Sequence, residues 1–259
     1  MADIPAKLVM QLRAETGAPM MDSKRALQET DSDFEAAKRW LRERGMAQAA
    51  KRADRETTEG LVGYRIDNGR GTIVAVGCET EPVSKNDEFQ AFAAKVLEAV
   101  VAKGPDAVQE LDQERQELGG KLGENIQIVG ASRFEGDTIA AYVHPPANKV
   151  GAMVKVRGGS PEQARDLALH LSFARPRYLT RDQVPAADVE AEREILAAQD
   201  DVASKPEEFR GKIVEGRIQK WFADSVLVDQ PWFREPGQTT QQAIGDMEVL
   251  DFAVYALGA

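Results

Sequence analysis

The chain has 259 residues, of which 42% are hydrophobic and 29% are charged, a balance typical of globular rather than disordered proteins. Its net charge of −10 argues against nucleic acid as a direct partner, because phosphate binding needs a basic surface. The sequence has no signal-peptide segment and no apolar run near the ~20 residues that span a bilayer. The single cysteine, Cys78, rules out an internal disulfide framework. We therefore expect a cytoplasmic protein, or an organellar one after import, that contacts neither membrane nor nucleic acid.

The first 45 residues predict three short helices that end at Gly17, Leu27 and Gly45. A unit of this size buries only a small core, so we expect residues 1–45 to form a docking domain. Residues 46–57 are rich in Ala, Arg, Lys and Glu, which predicts a charged and partly helical linker.

Met20 and Met21 fall between the first two predicted helices, and Asp22 or Ser23 would cap the second of them. Two adjacent methionines can fill a core, and they can equally offer an adaptable apolar contact to a partner. The sequence leaves both alternatives open.

From Thr58 onward the hydrophobic pattern changes to that of strands. The Asn68-Gly69 dipeptide between two apolar runs predicts a hairpin. Ser160, Pro161 and Gln163 carry the capping signals of a helix over 161–174. Further apolar runs predict strands over 126–134, 138–143, 150–156 and 247–257, with Glu135-Gly136-Asp137 as the turn between the first two.

The succession of hairpin, turn and helix occurs twice, which predicts an α+β fold with two related core halves. We place the first α+β subdomain at 58–143 and the second at 144–259. Two charged helical patterns at about 186–222 predict an antiparallel helical hairpin inserted in the second subdomain. A loop is then expected around Pro231, Pro236 and Gly237.

The clearest candidate site is the turn at residues 79–86, which we call the elbow. It follows a continuous apolar run at 73–76 that predicts a buried strand, and from Phe89 onward the apolar residues repeat with helical spacing. Ser84 and Asn86 are alternative caps for that helix. A rigid strand and helix would hold acidic side chains in a short exposed loop, a common position for function. The alternative is an ordinary connection between a strand and a helix.

Other classes of site are weakly supported. No Walker phosphate loop and no nucleophile–base pair is recognisable, and two histidines, His144 and His170, are too few for a histidine-built metal site. An enzyme with a catalytic carboxylate pair is a remaining alternative, although no spacing singles out such a pair.

The run at residues 12–27, with its Leu-Arg, Thr-Gly, Met-Met and Ala-Leu pairs, resembles the opening signature of the translation elongation factor Ts family. Further segments resemble the family in the same order along essentially the whole chain, at 89–93, 121–126, 142–144, 169–179, 213–217 and 230–231.

The resemblance implies an N-terminal three-helix domain similar to ubiquitin-associated domains, followed by two α+β core halves with a helical hairpin. It implies a bacterial guanine-nucleotide exchange factor that binds elongation factor Tu in its GDP-bound and nucleotide-free forms. Such a protein is not an enzyme and needs no cofactor of its own, because magnesium and nucleotide belong to the partner. The oligomeric state stays open, with a homodimer among the alternatives.

The resemblance also implies roles for four residues outside the elbow. Arg13, Met20 and Met21 would dock on the nucleotide-binding domain of the partner. His144 and the second subdomain would contact its third domain.

At the elbow the family has Thr-Asp-Phe-Val, whose Asp-Phe pair enters the partner beside its magnesium and phosphate site. This chain has Thr80-Glu81-Pro82-Val83 instead. Glu81 keeps the negative charge but is one methylene longer than aspartate, and Pro82 replaces the phenylalanine, which we call the aromatic wedge. Pro82 should also hold Glu81 in an extended conformation. We expect slower exchange than in a phenylalanine-bearing relative. A non-catalytic protein that binds or sequesters elongation factor Tu is the alternative.

Overall fold

The computed structural model describes residues 4–136 and 138–258, apart from the side chains of Met46 and residues 48–50. The helices are α1 (Ala6–Thr16), α2 (Met20–Glu29), α3 (Phe34–Lys51), α4 (Glu81–Ser84), α5 (Asp87–Lys103), α6 (Asp112–Leu122), α7 (Pro161–Ala174), α8 (Ala186–Ala198), α9 (Asp200–Ala203), α10 (Glu207–Ser225) and α11 (Thr240–Ile244). The strands are β1 (Glu59–Asp67), β2 (Arg70–Cys78), β3 (Gln127–Glu135), β4 (Thr138–Val143), β5 (Val150–Arg157), β6 (Pro231–Trp232), β7 (Glu235–Thr239) and β8 (Glu248–Ala256). This content confirms the α+β class. None of the described helices combines the length and apolarity needed to cross a membrane.

Helices α1–α3 form a bundle around a small core that includes the fully buried Leu12 and Leu27. Gly17 ends α1 in the left-handed conformation, as predicted. Two other predicted boundaries are wrong. Helix α2 begins at Met20, directly after Pro19, rather than at a cap formed by Asp22 or Ser23. Helix α3 continues through Gly45 to Lys51, because Gly45 packs against α6 and tertiary contacts outweigh the low helix propensity of glycine.

The first sheet has the antiparallel order β1-β2-β3. Asn68 and Gly69 close the β1–β2 hairpin with φ angles of 47° and 72°, as the Asn-Gly turn requires. Strand β2 is buried almost throughout, which confirms the prediction from its apolar run. Val74 and Val76 face α5, whereas Ile73 and Ala75 face the second sheet.

The second sheet has the antiparallel order β4-β5-β8, and α7 covers its outer face. The two sheets pack face to face, which gives four layers in the order helix, sheet, sheet, helix. Gly71 permits this close approach, since a Cβ there would lie 2.5 Å from Ile139 and 2.8 Å from Met153.

The segment between β3 and β4 does not close a hairpin as predicted. Strand β3 pairs with β2, whereas β4 pairs with β5, so the connection leads from one sheet to the other. Asp137, in the predicted turn, lies outside the described residues. The expected boundary between the two α+β subdomains, at 143/144, would separate β4 from its partner β5. The strand pairing favours a division of the two subdomains between residues 135 and 138. Alternation identifies strands but not their partners, which explains the error.

Helices α8 and α10 pack side by side around Leu196, Val214 and Ile218, as expected for a helical hairpin. Arg193 and Glu215 form an ion pair between them at 2.9 Å. The loop expected at 231–237 is instead part of the small antiparallel sheet β6-β7.

Candidate functional site

The elbow contains a helix that the sequence did not predict, the four-residue α4. Thr80 is extended, Glu81 is the first helical residue and Pro82 lies in the first turn, where its missing N–H is not needed. Two backbone bonds close this turn, from Ser84 N to Thr80 O at 3.1 Å and from Lys85 N to Glu81 O at 3.2 Å. The prediction that Pro82 holds Glu81 extended is therefore wrong, because these bonds outweigh the local preference.

Asn86 caps α5. Its side-chain oxygen accepts hydrogen bonds from the backbone N–H groups of Glu88 at 2.9 Å and of Phe89 at 3.3 Å. Ser84, the other predicted cap, instead donates to the carbonyl of Glu81 at 2.7 Å. The cap fixes the start of α5, where Phe89 is fully buried.

Two carboxylates, Glu79 and Glu124, tie the elbow to the chain that follows α6, and we call this arrangement the clamp. Glu124 accepts hydrogen bonds from the backbone N–H groups of Glu79 at 3.0 Å and Thr80 at 3.1 Å, and from the hydroxyl of Thr80. Glu79 accepts in return from the backbone N–H of Asn125 at 2.6 Å. These bonds hold the elbow at a set position on the scaffold.

Asn125 extends the clamp to the segment after α3. Its buried side chain donates to the carbonyl of Ala53 at 3.1 Å and of Arg55 at 2.7 Å, and Arg55 also pairs with Glu79 at 3.2 Å. Neither Glu124 nor Asn125 was among the predicted site residues. The signal that could have identified them is the resemblance at 121–126, a segment that the sequence alone does not connect to the elbow.

The elbow presents Thr80, Glu81 and Pro82 to solvent, whereas Val83 packs partly against the core beneath α5. Glu81 forms an ion pair with Lys85 at 2.6 Å, one helical turn further on. The hydrogen bond from Lys85 lowers the pKa of Glu81, and the same bond raises the pKa of Lys85. Glu81 is therefore a carboxylate at neutral pH, with its charge partly balanced by a neighbouring ammonium.

His144 lies exposed at the end of β4, where its Nδ1 is 3.1 Å from the hydroxyl of Tyr142. The loop that it opens reaches back to the first sheet, because Lys149 pairs with Glu59 at 2.8 Å. Glu59 is the β1 partner of Cys78, the last residue of β2 before the elbow. The structure thus brings the His144 loop and the elbow to the same end of the paired sheets.

Arg13, Met20 and Met21 lie on the bundle. Arg13 is exposed in the last turn of α1, and the methionines occupy the first turn of α2 with 44% and 71% of their surface exposed. The alternative that they fill the core is therefore wrong. Gly17, just before them, lies against the side chain of Lys121, which pairs at 2.6 Å with Glu88 near the start of α5. The connection that leads into the methionine pair accordingly lies beside α5.

Two other segments of the resemblance meet in the interior of the second half. The ring of His170 is 3.2 Å from the amide oxygen of Gln230 and 3.1 Å from the hydroxyl of Thr240, and it stacks on Trp232. Burial lowers the pKa of His170. Within the described ranges, no group of three His, Cys, Asp or Glu residues is placed to hold a metal ion.

Comparison with known proteins adds an independent finding. A family model described as Elongation factor TS matches residues 79–259. A protein named Elongation factor Ts from Deinococcus deserti is 38% identical, over 97% of this chain and 98% of that protein. Proteins of the same name are 37% identical in Deinococcus radiodurans, over the same shares, and 39% identical in Halorhodospira halophila, over 98% of this chain and 92% of that protein.

Proposed function

Because the chain belongs to the elongation factor Ts family and is a translation elongation factor, we propose that it binds elongation factor Tu and accelerates the release of GDP. The observation that carries this proposal is the elbow. Its short helix α4 presents an ionised carboxylate, Glu81, beside the exposed Pro82, and the clamp fixes that helix to the scaffold.

Exchange of this kind needs thermodynamic coupling rather than bond chemistry, so the protein is not an enzyme in the chemical sense. Nucleotide and exchange factor bind the same partner, and each lowers the partner's affinity for the other. The two affinities fall by the same ratio, because the coupling free energy is reciprocal. Each tenfold ratio corresponds to about 1.4 kcal/mol of coupling. The partner's Mg²⁺ is a suitable point of attack, because that ion demands near-ideal octahedral coordination. A rigidly held α4 beside it would disturb that coordination.

We assign three contacts to three parts of the chain. The bundle would dock through Arg13 and the methionine pair, whose flexible side chains suit an adaptable apolar contact. The first α+β half would supply the elbow, with Thr80 to Val83 at the contact. The second half would add His144, whose loop lies at the same end of the sheets as the elbow.

The test is the release of a fluorescent GDP analogue from elongation factor Tu of the same organism. Rising amounts of this protein are added in the presence of excess unlabelled GDP. A saturable acceleration of release is the expected result. Release at the unassisted rate under saturating conditions would contradict the proposal.

The second candidate function is sequestration of elongation factor Tu without nucleotide release. It is favoured by two observations at the elbow. Proline stands at position 82, where the family pattern has phenylalanine, and Lys85 partly neutralises the charge of Glu81. Gel filtration of the same mixtures separates the two candidates. A tight complex with unchanged GDP release would establish sequestration.

A further inference from the structure

The bundle meets the core at a crossing of α3 over α6, where Gly45 faces Gly120. The two glycines are not equivalent. A Cβ on Gly120 would lie 2.8 Å from the Cα, C and O atoms of Gly45, a separation that real Cβ atoms essentially never show. A Cβ on Gly45 would lie 3.5 Å from the Cα of Gly120, which is ordinary van der Waals contact. Close approach of the two backbones therefore depends on glycine at 120 and not at 45.

Ion pairs flank this Gly45–Gly120 crossing. Arg42 of α3 pairs with Glu117 of α6 at 2.5 Å, and Lys121 pairs with Glu88 while its side chain lies against the end of α1. Next to the crossing, a cavity of about 550 Å³ lies between the bundle and helices α5 and α6. Among the side chains that the structure describes, the bundle is therefore held at the crossing and by these ion pairs, with an unfilled cavity beside them.

We propose that the Gly45–Gly120 crossing sets the position of the bundle relative to the elbow, and that Gly120 is a positioning residue for nucleotide exchange. The inference rests on the proposed function, in which the bundle and the elbow contact one partner. Two linked contacts reinforce each other only when their separation matches the two sites on the partner. A misplacement of about 1 Å can reduce a rate by orders of magnitude when geometry matters.

The first test compares Gly120→Ala with its matched control, Gly45→Ala. Both changes place alanine in a helix and raise helix propensity by a similar amount, so the two variants differ in what the added Cβ meets at the crossing. The alanine at 120 must push α3 away by roughly half an ångström to restore van der Waals contact. We expect the rate of GDP release per unit concentration of this protein to fall about fivefold or more with Gly120→Ala. With Gly45→Ala the same rate should change less than about twofold. Thermal unfolding of Gly45→Ala should remain at or above that of the parent, whereas Gly120→Ala should unfold at a lower temperature, because the clash with the backbone of Gly45 outweighs the gain in helix propensity.

The second test needs no partner, so it can fail or succeed independently of the proposed function. Spin labels are attached to cysteines introduced at the exposed positions Met10, on the bundle, and Glu162, on α7. Cys78, the native cysteine, is fully buried. Pulsed electron paramagnetic resonance should give the same distance distribution for the parent and Gly45→Ala, and a shifted or broader one for Gly120→Ala.

Unchanged distances in Gly120→Ala would overturn the inference, and so would changed distances with full exchange activity. If Gly120→Ala fails to fold, Arg42→Glu tests the same position through an exposed side chain, because it places two carboxylates together at the crossing. That variant should also alter the distances and reduce exchange. Full exchange with Arg42→Glu and altered distances would likewise refute a positioning role.

Discussion

Replacement of Glu124 by alanine should detach the elbow from the scaffold. The change removes the acceptor of three hydrogen bonds, two from the backbone N–H groups of Glu79 and Thr80 and one from the hydroxyl of Thr80. A bond to a charged group contributes about 1.5–3 kcal/mol, but Thr80 is exposed and Glu124 only half-buried, so water compensates most of the loss. We therefore expect the free energy of unfolding to fall by about 2 kcal/mol in total. The bond between Glu79 and Asn125 should remain.

The effect on exchange should exceed the effect on folding. A loss of about 2 kcal/mol leaves a domain of ordinary stability folded, since such domains have about 5–15 kcal/mol. The elbow would nevertheless sample many positions, and we expect GDP release to slow about tenfold at saturating protein. Glu124→Gln should lie between alanine and the parent, because its one amide oxygen can still accept both backbone bonds, which reach the same carboxylate oxygen, while the uncharged amide weakens them and replaces the acceptor of the Thr80 hydroxyl.

Glu110→Ala is the matched control, since it removes an exposed carboxylate whose partner, Lys103, lies away from the elbow. It should change the unfolding free energy by less than about 0.5 kcal/mol and leave exchange unchanged. Urea unfolding and GDP release are measured on the same preparations. Full exchange by a destabilised Glu124→Ala variant would show that the clamp does not position the elbow for its function, and the reasoning would be refuted.

Three further predictions concern other parts of the chain. Pro82→Phe should accelerate GDP release relative to both the parent and Pro82→Ala; an unchanged or lower rate would mean that the site has adapted to proline. Because burial lowers the pKa of His170 from its ordinary 6.5, the unfolded chain binds a proton more readily than the folded one. Stability should thus be complete above about pH 6.5 and decline below it by up to about 1.4 kcal/mol per pH unit, a dependence that His170→Gln should flatten in urea unfolding. Gly211→Ala and Gly216→Ala in α10 should each raise stability by about 0.5–1 kcal/mol in thermal unfolding, because a Cβ at either position meets open space.

The features that were predicted correctly depend on neighbours in sequence. The Asn68-Gly69 turn needs only positive φ at two adjacent residues. The cap at Asn86 and the capping box of Ser160 with Gln163 join groups two or three residues apart. Such contacts are contained in a short window of sequence, so composition and spacing are sufficient to identify them.

The features that were missed depend on distant partners. Gly45 was predicted to end a helix, because nothing in its neighbourhood reveals that α6 passes over it at Gly120. The clamp joins Glu79 to Glu124 and Asn125, which lie more than forty residues away. In each bond a carboxylate of one segment accepts from a backbone N–H of the other. Periodicity identifies which face of an element is buried but not what covers it, and the partner of β4 was missed for the same reason.

The departure at Pro82 has a narrower effect than the sequence suggested. Proline in the first turn of α4 leaves the bonds of Ser84 and Lys85 in place, so the backbone of the elbow tolerates it. Under the proposed function, proline at position 82 therefore removes a side-chain contact and leaves the hydrogen bonds of the turn in place. Loss of one contact lowers the coupling between nucleotide and exchange factor on the partner by a finite free energy, and the other proposed contacts remain. This is why we expect slow exchange rather than none, and why a single phenylalanine on the same backbone should be sufficient to increase the rate.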